Sequence, residues 1–268
     1  MQFGLEDSAR LYQETLVPLM FAASAQRLVS GASLPAGARV LDVACGTGVV
    51  ARAAAEAVGS SGHVTAIDAA AGMLAVARKQ PQPSTAAPIE YIEAPIEAAP
   101  LSAASFYAAF CQQGLQFFDE PVSALRSIRA ALVPGGHLHL ALWCALEDHP
   151  LASSVHHALT DAGLVEMTAF LHKVHRLHDA AVVTKLLEDA GFQLQGKEDV
   201  QLAPQGIWRA LDSQRMMGAT PLAQRLHELT AEQREALDAA FKRHMEAYAR
   251  DGILELVFPA TFYTARAA

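Results

Sequence analysis

Ala38-Arg39-Val40-Leu41-Asp42-Val43-Ala44-Cys45-Gly46-Thr47-Gly48 is the stretch whose reading decides the fold. Val40, Leu41 and Val43 form a short apolar run rich in β-formers, which suits a strand buried on both faces. Gly46 and Gly48 lack a Cβ, so the backbone can turn sharply there and come close to a ligand. The Ala- and Val-rich run from Val49 to Val58 reads as a helix packed back on the strand. Strand, glycine turn and helix make a nucleotide-binding unit, with the Asp42 carboxylate at the end of the strand. The cofactor is expected here.

Downstream, His63-Val64-Thr65-Ala66-Ile67-Asp68 reads as a second strand with an acidic last residue. Asp68 lies about 20 residues past the glycines, the spacing at which a carboxylate takes ribose hydroxyls. The same residue can also cap the helix predicted from Ala69 to Lys79. Ile89 to Glu93 alternates as a third strand, and Ser105 to Gln112 reads as a fourth. Pro121 opens a helix whose Val122, Leu125, Ile128 and Leu132 share one face, with Pro134-Gly135-Gly136 as its end. His137 to Trp143 reads as a fifth strand. This alternation demands right-handed crossovers and a mostly parallel sheet with helices on both faces. The fold class is therefore α/β, a Rossmann-like three-layer αβα sandwich whose ligand lies beyond the carboxyl ends of the strands.

The remaining segments read as coverings of that core. Residues 1–38 are an N-terminal helical segment, broken near Pro18, that can lie over the cofactor mouth as a lid or simply cover the sheet. Residues 39–143 are the cofactor-binding core of a single domain, 1–268. Two helical insertions, 144–178 and 205–250, are the natural walls of a substrate pocket. Between and after them lie a helix from Asp179 to Ala190, a strand from Phe192 to Leu202 and a closing antiparallel strand from Leu254 to Ala265, at or near the sheet edge.

Composition narrows the partners. Hydrophobic residues make up 52% of the 268 and charged residues 18%, ample for a core. The formal net charge of −8 argues against a nucleic-acid partner, whose phosphates demand Lys and Arg. Cys45, Cys111 and Cys144 show neither metal spacing nor an even count for a disulfide framework. Met1 to Asp7 lacks a basic region ahead of an apolar run, so no secretory signal is expected. Leu16 to Ala25 is too short to span a bilayer. A cytoplasmic protein of unspecified oligomeric state is the expectation.

Gly46-Thr47-Gly48-Val49-Val50-Ala51 fits the generic dinucleotide fingerprint, but Asp42 would put negative charge near the turn that must hold a pyrophosphate. The combination instead resembles the class I S-adenosylmethionine-dependent methyltransferases, most closely the type 11 group that includes ubiquinone/menaquinone C-methyltransferase-like proteins. The resemblance rests on Val40 to Gly48, Ala66-Ile67-Asp68 with Met73, Cys111 to Phe118, and Leu132-Val133-Pro134-Gly135-Gly136. It covers residues 10–145 well and the closing strand more loosely.

The resemblance implies a seven-stranded sheet with its last strand antiparallel. It also implies a cofactor site made of Tyr12, Asp42, Ala44, Cys45, Gly46, Gly48, Asp68, Ala69, Met73, Ala94, Pro95, Ile96, Cys111 and Gln112. Ala44 to Gly48 would wrap the methionine part, with the Ala44 and Cys111 carbonyls near its ammonium. Asp68 would hold both ribose hydroxyls, and Met73 would pack near the adenine or ribose. Tyr12, on the N-terminal segment, can close over the methionine carboxylate or simply pack. Two positions depart from the family pattern: Pro95 stands where an acid usually meets the adenine amino group, and Phe106-Tyr107 replaces Phe-Asp. Recognition of adenine then falls to the Ile96 amide, with Glu93 or Glu97 as substitutes for the acid.

The implied activity is methyl transfer to O, N or C of a small, fairly apolar acceptor, releasing S-adenosylhomocysteine. A cofactor-binding or regulatory protein of the same fold is the alternative. The donor is already activated, so positioning and desolvation supply much of the rate, and a base is needed only for a protonated acceptor. His149, His156 or His157 is the expected base, and Gln112 can orient the acceptor. His172, His175 and His178, three residues apart, suit a polar face better than a metal site.

Overall fold

The computed structural model describes residues 6–268. Met1 to Leu5, including the start of the expected lid segment and most of the stretch read for a secretory signal, lie outside the described residues. The chain opens with α1 (Glu6–Leu11), a π-helical stretch (Tyr12–Phe21) and α2 (Ala22–Ser30). The expected break at Pro18 does not occur. Pro18 has no N–H to place in a ladder, and the π-helical winding carries the chain past it while its carbonyl accepts from Gln205 N–H at 3.1 Å.

Strand and helix then alternate through β1 (Arg39–Val43), α3 (Val49–Val58), β2 (His63–Asp68), α4 (Ala71–Ala77), β3 (Ile89–Glu93), β4 (Phe106–Gln112), α5 (Pro121–Ala131) and β5 (Leu132–Trp143). The first insertion follows as α6 (Pro150–Asp161) and α7 (Ala169–Val174). The chain returns to the sheet through α8 (Ala180–Asp189) and β6 (Phe192–Leu202). The second insertion holds α9 (Ser213–Gly218), α10 (Ala223–Glu228) and α11 (Ala231–Met245), then the short hairpin β7 (Ala249–Arg250) and β8 (Ile253–Leu254). It is less helical than expected, because residues 203–212 run without helix before Asp212 caps α9 through its side chain. β9 (Phe258–Ala267) closes the chain.

The seven-stranded sheet has the order β3-β2-β1-β4-β5-β9-β6, and β9 alone runs antiparallel to its neighbours. β9 is therefore an interior strand and β6 the edge, a refinement of the expected edge position. Pro134-Gly135-Gly136 does not precede β5 but lies within it. Phe106 pairs with Leu132 and Ala108 with His137, so Val133 to Gly136 bulge out and Pro134 costs no ladder bond.

Side chains alternate along β1: Val40 packs into the core on the side of α2 and α3, and Leu41 and Val43 into the core on the side of α5 and α8. Asp42 shares the face of Val40 and is 1% exposed. The strand order reverses between β1 and β4, and the crevice beyond their carboxyl ends is the place where such sheets bind ligands.

Candidate active site

The loop after β1 is held in left-handed backbone conformations at Ala44 (φ +55°), Gly46 (φ +55°) and Gly48 (φ +79°). A Cβ on Gly48 would meet the Tyr91 hydroxyl at 2.8 Å, whereas one on Gly46 would meet nothing within 4 Å. Gly48 is thus required by packing and backbone, while the space beside Gly46 stays open for a ligand. Asp68, at the end of β2, ties two loops together. Its carboxylate accepts from the N–H of Gly46 and of Ala70, each at 2.8 Å. Burial raises its pKa, and those amide bonds oppose the shift.

Gly114 closes the crevice from the β4 side. A Cβ there would lie 2.6 Å from Ala44 Cβ and 2.9 Å from Cys111 Sγ, so the two loops approach as closely as a bare backbone permits. Beyond them opens one cavity of about 460 Å³. Tyr12, Leu16 and Met20, four residues apart on the π-helical stretch, form its roof together with Phe21. Tyr12 stacks on Phe21 with ring centroids 5.0 Å apart, and burial, then Asp68 and Asp42, push its hydroxyl pKa up.

Of the residues expected to hold the cofactor, Tyr12, Ala44, Gly46, Asp68, Ala69, Met73, Ala94, Pro95, Ile96 and Gln112 line this cavity. Asp42, Cys45, Gly48 and Cys111 do not; they stand behind its wall. Asp42 sits beneath the glycine loop, where a hydrogen bond from the Ala51 N–H in the first turn of α3 reaches it and its Oδ2 is left without a partner. Burial raises its pKa to about 8 despite that bond, with the nearby Asp68 charge adding to the rise. Burial pushes the Cys111 thiol up to about 12 and the Cys45 thiol up as well, so both are packed thiols. Past the end of β3, Ile96 opens a single 3₁₀ turn and its N–H has no partner within that turn. Glu97 lines the cavity beside it, and Glu93 does not.

The far half of the cavity is walled by Trp143, Leu151, Val155, Phe170, Met217 and Leu222, contributed by β5, α6, α7, α9 and the turn after it. Its polar atoms are few. Gln112 donates to Phe21 carbonyl at 3.3 Å and keeps a buried, unpartnered Oε1. Gln113 Nε2 and Gln116 Oε1 are likewise buried without partners.

The histidines divide sharply. His156 and His157 lie outside the cavity: His156 packs against His172, and His157 is exposed beside His244. They are removed as candidate bases because α6 turns its buried face, Leu151, Ala152 and Val155, toward the pocket and these two residues away. His149 lines the cavity, but as the N-cap of α6 its Nδ1 accepts from Ala152 N–H at 3.2 Å. Burial, with His175 next to it, lowers its pKa to about 3. His175, read in the sequence only as one of three regularly spaced histidines on a polar face, lines the same cavity with its ring 5.2 Å from that of His149. His172, His175 and His178 turn to different partners rather than to one point. Among the described residues no three His, Cys, Asp or Glu side chains are placed to hold a metal.

These features suit S-adenosylmethionine. The open space at Gly46 admits a ligand against the backbone, and Asp68 and the free Gln112 Oε1 are acceptors, the correct complement for a cation carrying an ammonium and hydroxyls. A methyltransferase-domain family model matches residues 40–136. The chain is 32% identical over 185 residues to the ubiquinone biosynthesis O-methyltransferase of Xanthomonas axonopodis pv. citri, covering 68% of this chain and 72% of that protein. It is also 32% identical over 171 residues to the ubiquinone/menaquinone biosynthesis C-methyltransferase of Hahella chejuensis, covering 59% and 68%. In fold it is similar to phosphoethanolamine N-methyltransferase 2 of Haemonchus contortus bound to S-adenosylhomocysteine, with TM-score 0.54, 17% identity, and 91% and 52% of the two chains covered. The chain belongs to the class I S-adenosylmethionine-dependent methyltransferases of the ubiquinone-biosynthesis type.

Proposed function

We propose that this methyltransferase acts in the cytoplasm on a small, fairly apolar metabolite, methylating an O, N or C atom. The observation that carries the reading is the single cavity running from Gly46 and Asp68 to the apolar wall of Trp143, Phe170 and Met217. The net charge of −8 supports a metabolite over a nucleic acid. No described helix is long and apolar enough to cross a membrane. The relatives named for ubiquinone biosynthesis make a ring-bearing acceptor with an apolar substituent the first class to try.

In this reading Asp68 holds the ribose, the Ala44 carbonyl and Gln112 Oε1 face the ammonium, and Met73 with the Ile96 N–H and Glu97 frames the adenine. Residues 6–30 serve as the lid, and the insertions 144–178 and 205–250 as the substrate cap. The bound cofactor supplies a methyl group on a sulfonium sulfur, and transfer leaves the C–S electron pair on that sulfur. The chain then has three tasks: to align the acceptor, to exclude water with the apolar walls, and to take up a proton if the acceptor carries one. Calorimetry with S-adenosylhomocysteine and with NAD, followed by mass-spectrometric screening of phenolic and quinol acceptors, tests this. Binding of S-adenosylhomocysteine, no heat with NAD and a product heavier by one methylene are expected. Tight NAD binding with no response to S-adenosylhomocysteine would sink it.

A further inference from the structure

His175 and His149 share one wall of the cavity, and the structure gives them opposite hydrogen-bonding characters. His175 Nδ1 lies 2.7 Å from the Cys144 carbonyl oxygen. A carbonyl only accepts, so Nδ1 carries the proton and the lone pair of the neutral ring sits on Nε2. No described residue hydrogen-bonds that Nε2. His149 is the reverse. Its Nδ1 accepts from the Ala152 N–H, so the neutral ring carries its proton on Nε2, a buried donor without a partner.

We propose that His175 Nε2 is the proton acceptor of the methyl-transfer site, and that His149 Nε2–H holds the same acceptor oxygen, so that the natural acceptor is a phenol or enol. This rests on the reading of the cavity as the methyl-transfer site. The acceptor's O–H bond breaks, its proton passing to His175 Nε2. The oxygen pair forms the new C–O bond as the C–S bond breaks with its pair left on sulfur, and the imidazolium then releases its proton to solvent.

Both rings are held neutral, as a base and a neutral donor must be. Burial lowers the pKa of His175, further lowered by His178 and His172 and opposed by the Cys144 carbonyl and Glu147. The wall around His149 supports the same state: Trp143 stands edge-on at 5.0 Å and Phe258 at 5.7 Å, so no carboxylate rewards its protonation. A ring fixed by a backbone carbonyl on one nitrogen and open on the other is the arrangement in which imidazole works as a general base.

The test uses the full-length protein, 15N-labelled at histidine, with 4-nitrocatechol as the acceptor probe in the presence of S-adenosylhomocysteine. Long-range 1H–15N spectra at pH 7 are expected to show His175 protonated at Nδ1 and His149 at Nε2; either ring in the opposite tautomer overturns the proposal. Wild-type protein is expected to bind the probe as its phenolate, seen in the visible spectrum below the probe's own pKa. His175→Gln keeps a donor toward the Cys144 carbonyl but has no basic nitrogen, and it should abolish that phenolate signal. His149→Asn keeps the helix cap and loses the Nε2–H, and it should weaken probe binding by about 3- to 10-fold, one neutral hydrogen bond. A phenolate signal undiminished in His175→Gln overturns the assignment of the base. Undiminished S-adenosylhomocysteine binding in both variants shows that they are folded. Loss of that binding in the wild type would instead overturn the reading of the cavity.

Discussion

The two halves of the cavity are built by different means. The half beside the glycine loop, which we read as the cofactor half, is set mainly by backbone: the loops after β1, β2 and β4 meet through Gly46, the Asp68 carboxylate and Gly114, and bare glycines set the closeness of approach. The far half, which we read as the acceptor half, is made of side chains carried by the helical stretch 12–21, by Trp143 on β5 and by helices after residue 149. A backbone-built site tolerates little change and holds one ligand in one pose. A wall of Met, Leu and Phe can be recut without moving the sheet, which is how one fold serves many acceptors.

The sharpest way to break this contrast is Asp68→Ala. It removes the carboxylate that accepts from the Gly46 and Ala70 amides and leaves the glycine loop untied. Loss of charge-assisted hydrogen bonds of about 1.5–3 kcal/mol should weaken S-adenosylhomocysteine by roughly 10- to 100-fold in calorimetry. If affinity were unchanged, the ribose would not lie against Asp68 and the division of the cavity would be misplaced.

How much of this was legible follows the same division. The ends of β1, β2 and β3 and of α3 were readable because short apolar runs ended in glycines or acids, and local chemistry sets such boundaries. Asp68 was readable by its spacing from the glycines. The Pro134-Gly135-Gly136 segment misled because a bulge inside a strand and a turn before one use the same residues. Asp42 was placed in the site because it ends a strand there, but side-chain alternation and the loop above turn its carboxylate behind the wall; Cys111 was placed there for its carbonyl, and its side chain packs into the core. His175 was hidden for a deeper reason. Its character depends on the Cys144 carbonyl, 31 residues away in the chain and beside it only after α6 and α7 have folded over the sheet.

A second prediction sharpens the acceptor half through pH. The pKa of His149 is lowered to about 3 from a model-peptide value near 6.5, because burial disfavours its charged form. The native protein thus resists a proton that the unfolded chain accepts. The neutral ring contributes its full stability above about pH 6.5, and that contribution is lost as pH falls toward 3. Between pH 7.5 and 5 the loss is about 2 kcal/mol, from about 1.5 pH units at 1.36 kcal/mol each. Urea unfolding of the wild type and of His149→Asn over this range should show their difference shrinking by that amount in favour of the variant as the solution is acidified. A constant difference would mean that the ring is hydrated and already titrates near its ordinary value.

The smallest effect should come from the wall itself. Phe170 stacks on Phe117 with ring centroids 6.4 Å apart and faces the cavity, so Phe170→Ala enlarges an existing space instead of opening a sealed void. Its stability cost should therefore fall below the 3–5 kcal/mol of a Phe deleted from a close-packed core, since much of that cost belongs to the new cavity. The acceptor loses apolar contact worth about 1 kcal/mol, at roughly 25 cal/mol per Å² over a few tens of Å², and its KM should rise several-fold. S-adenosylhomocysteine affinity should move by less than about twofold, because energies at sites without shared contacts are close to additive. An equal loss of both affinities would show that the wall and the glycine loops form one cooperative unit, and that the acceptor half cannot be recut independently of the backbone that holds the cofactor.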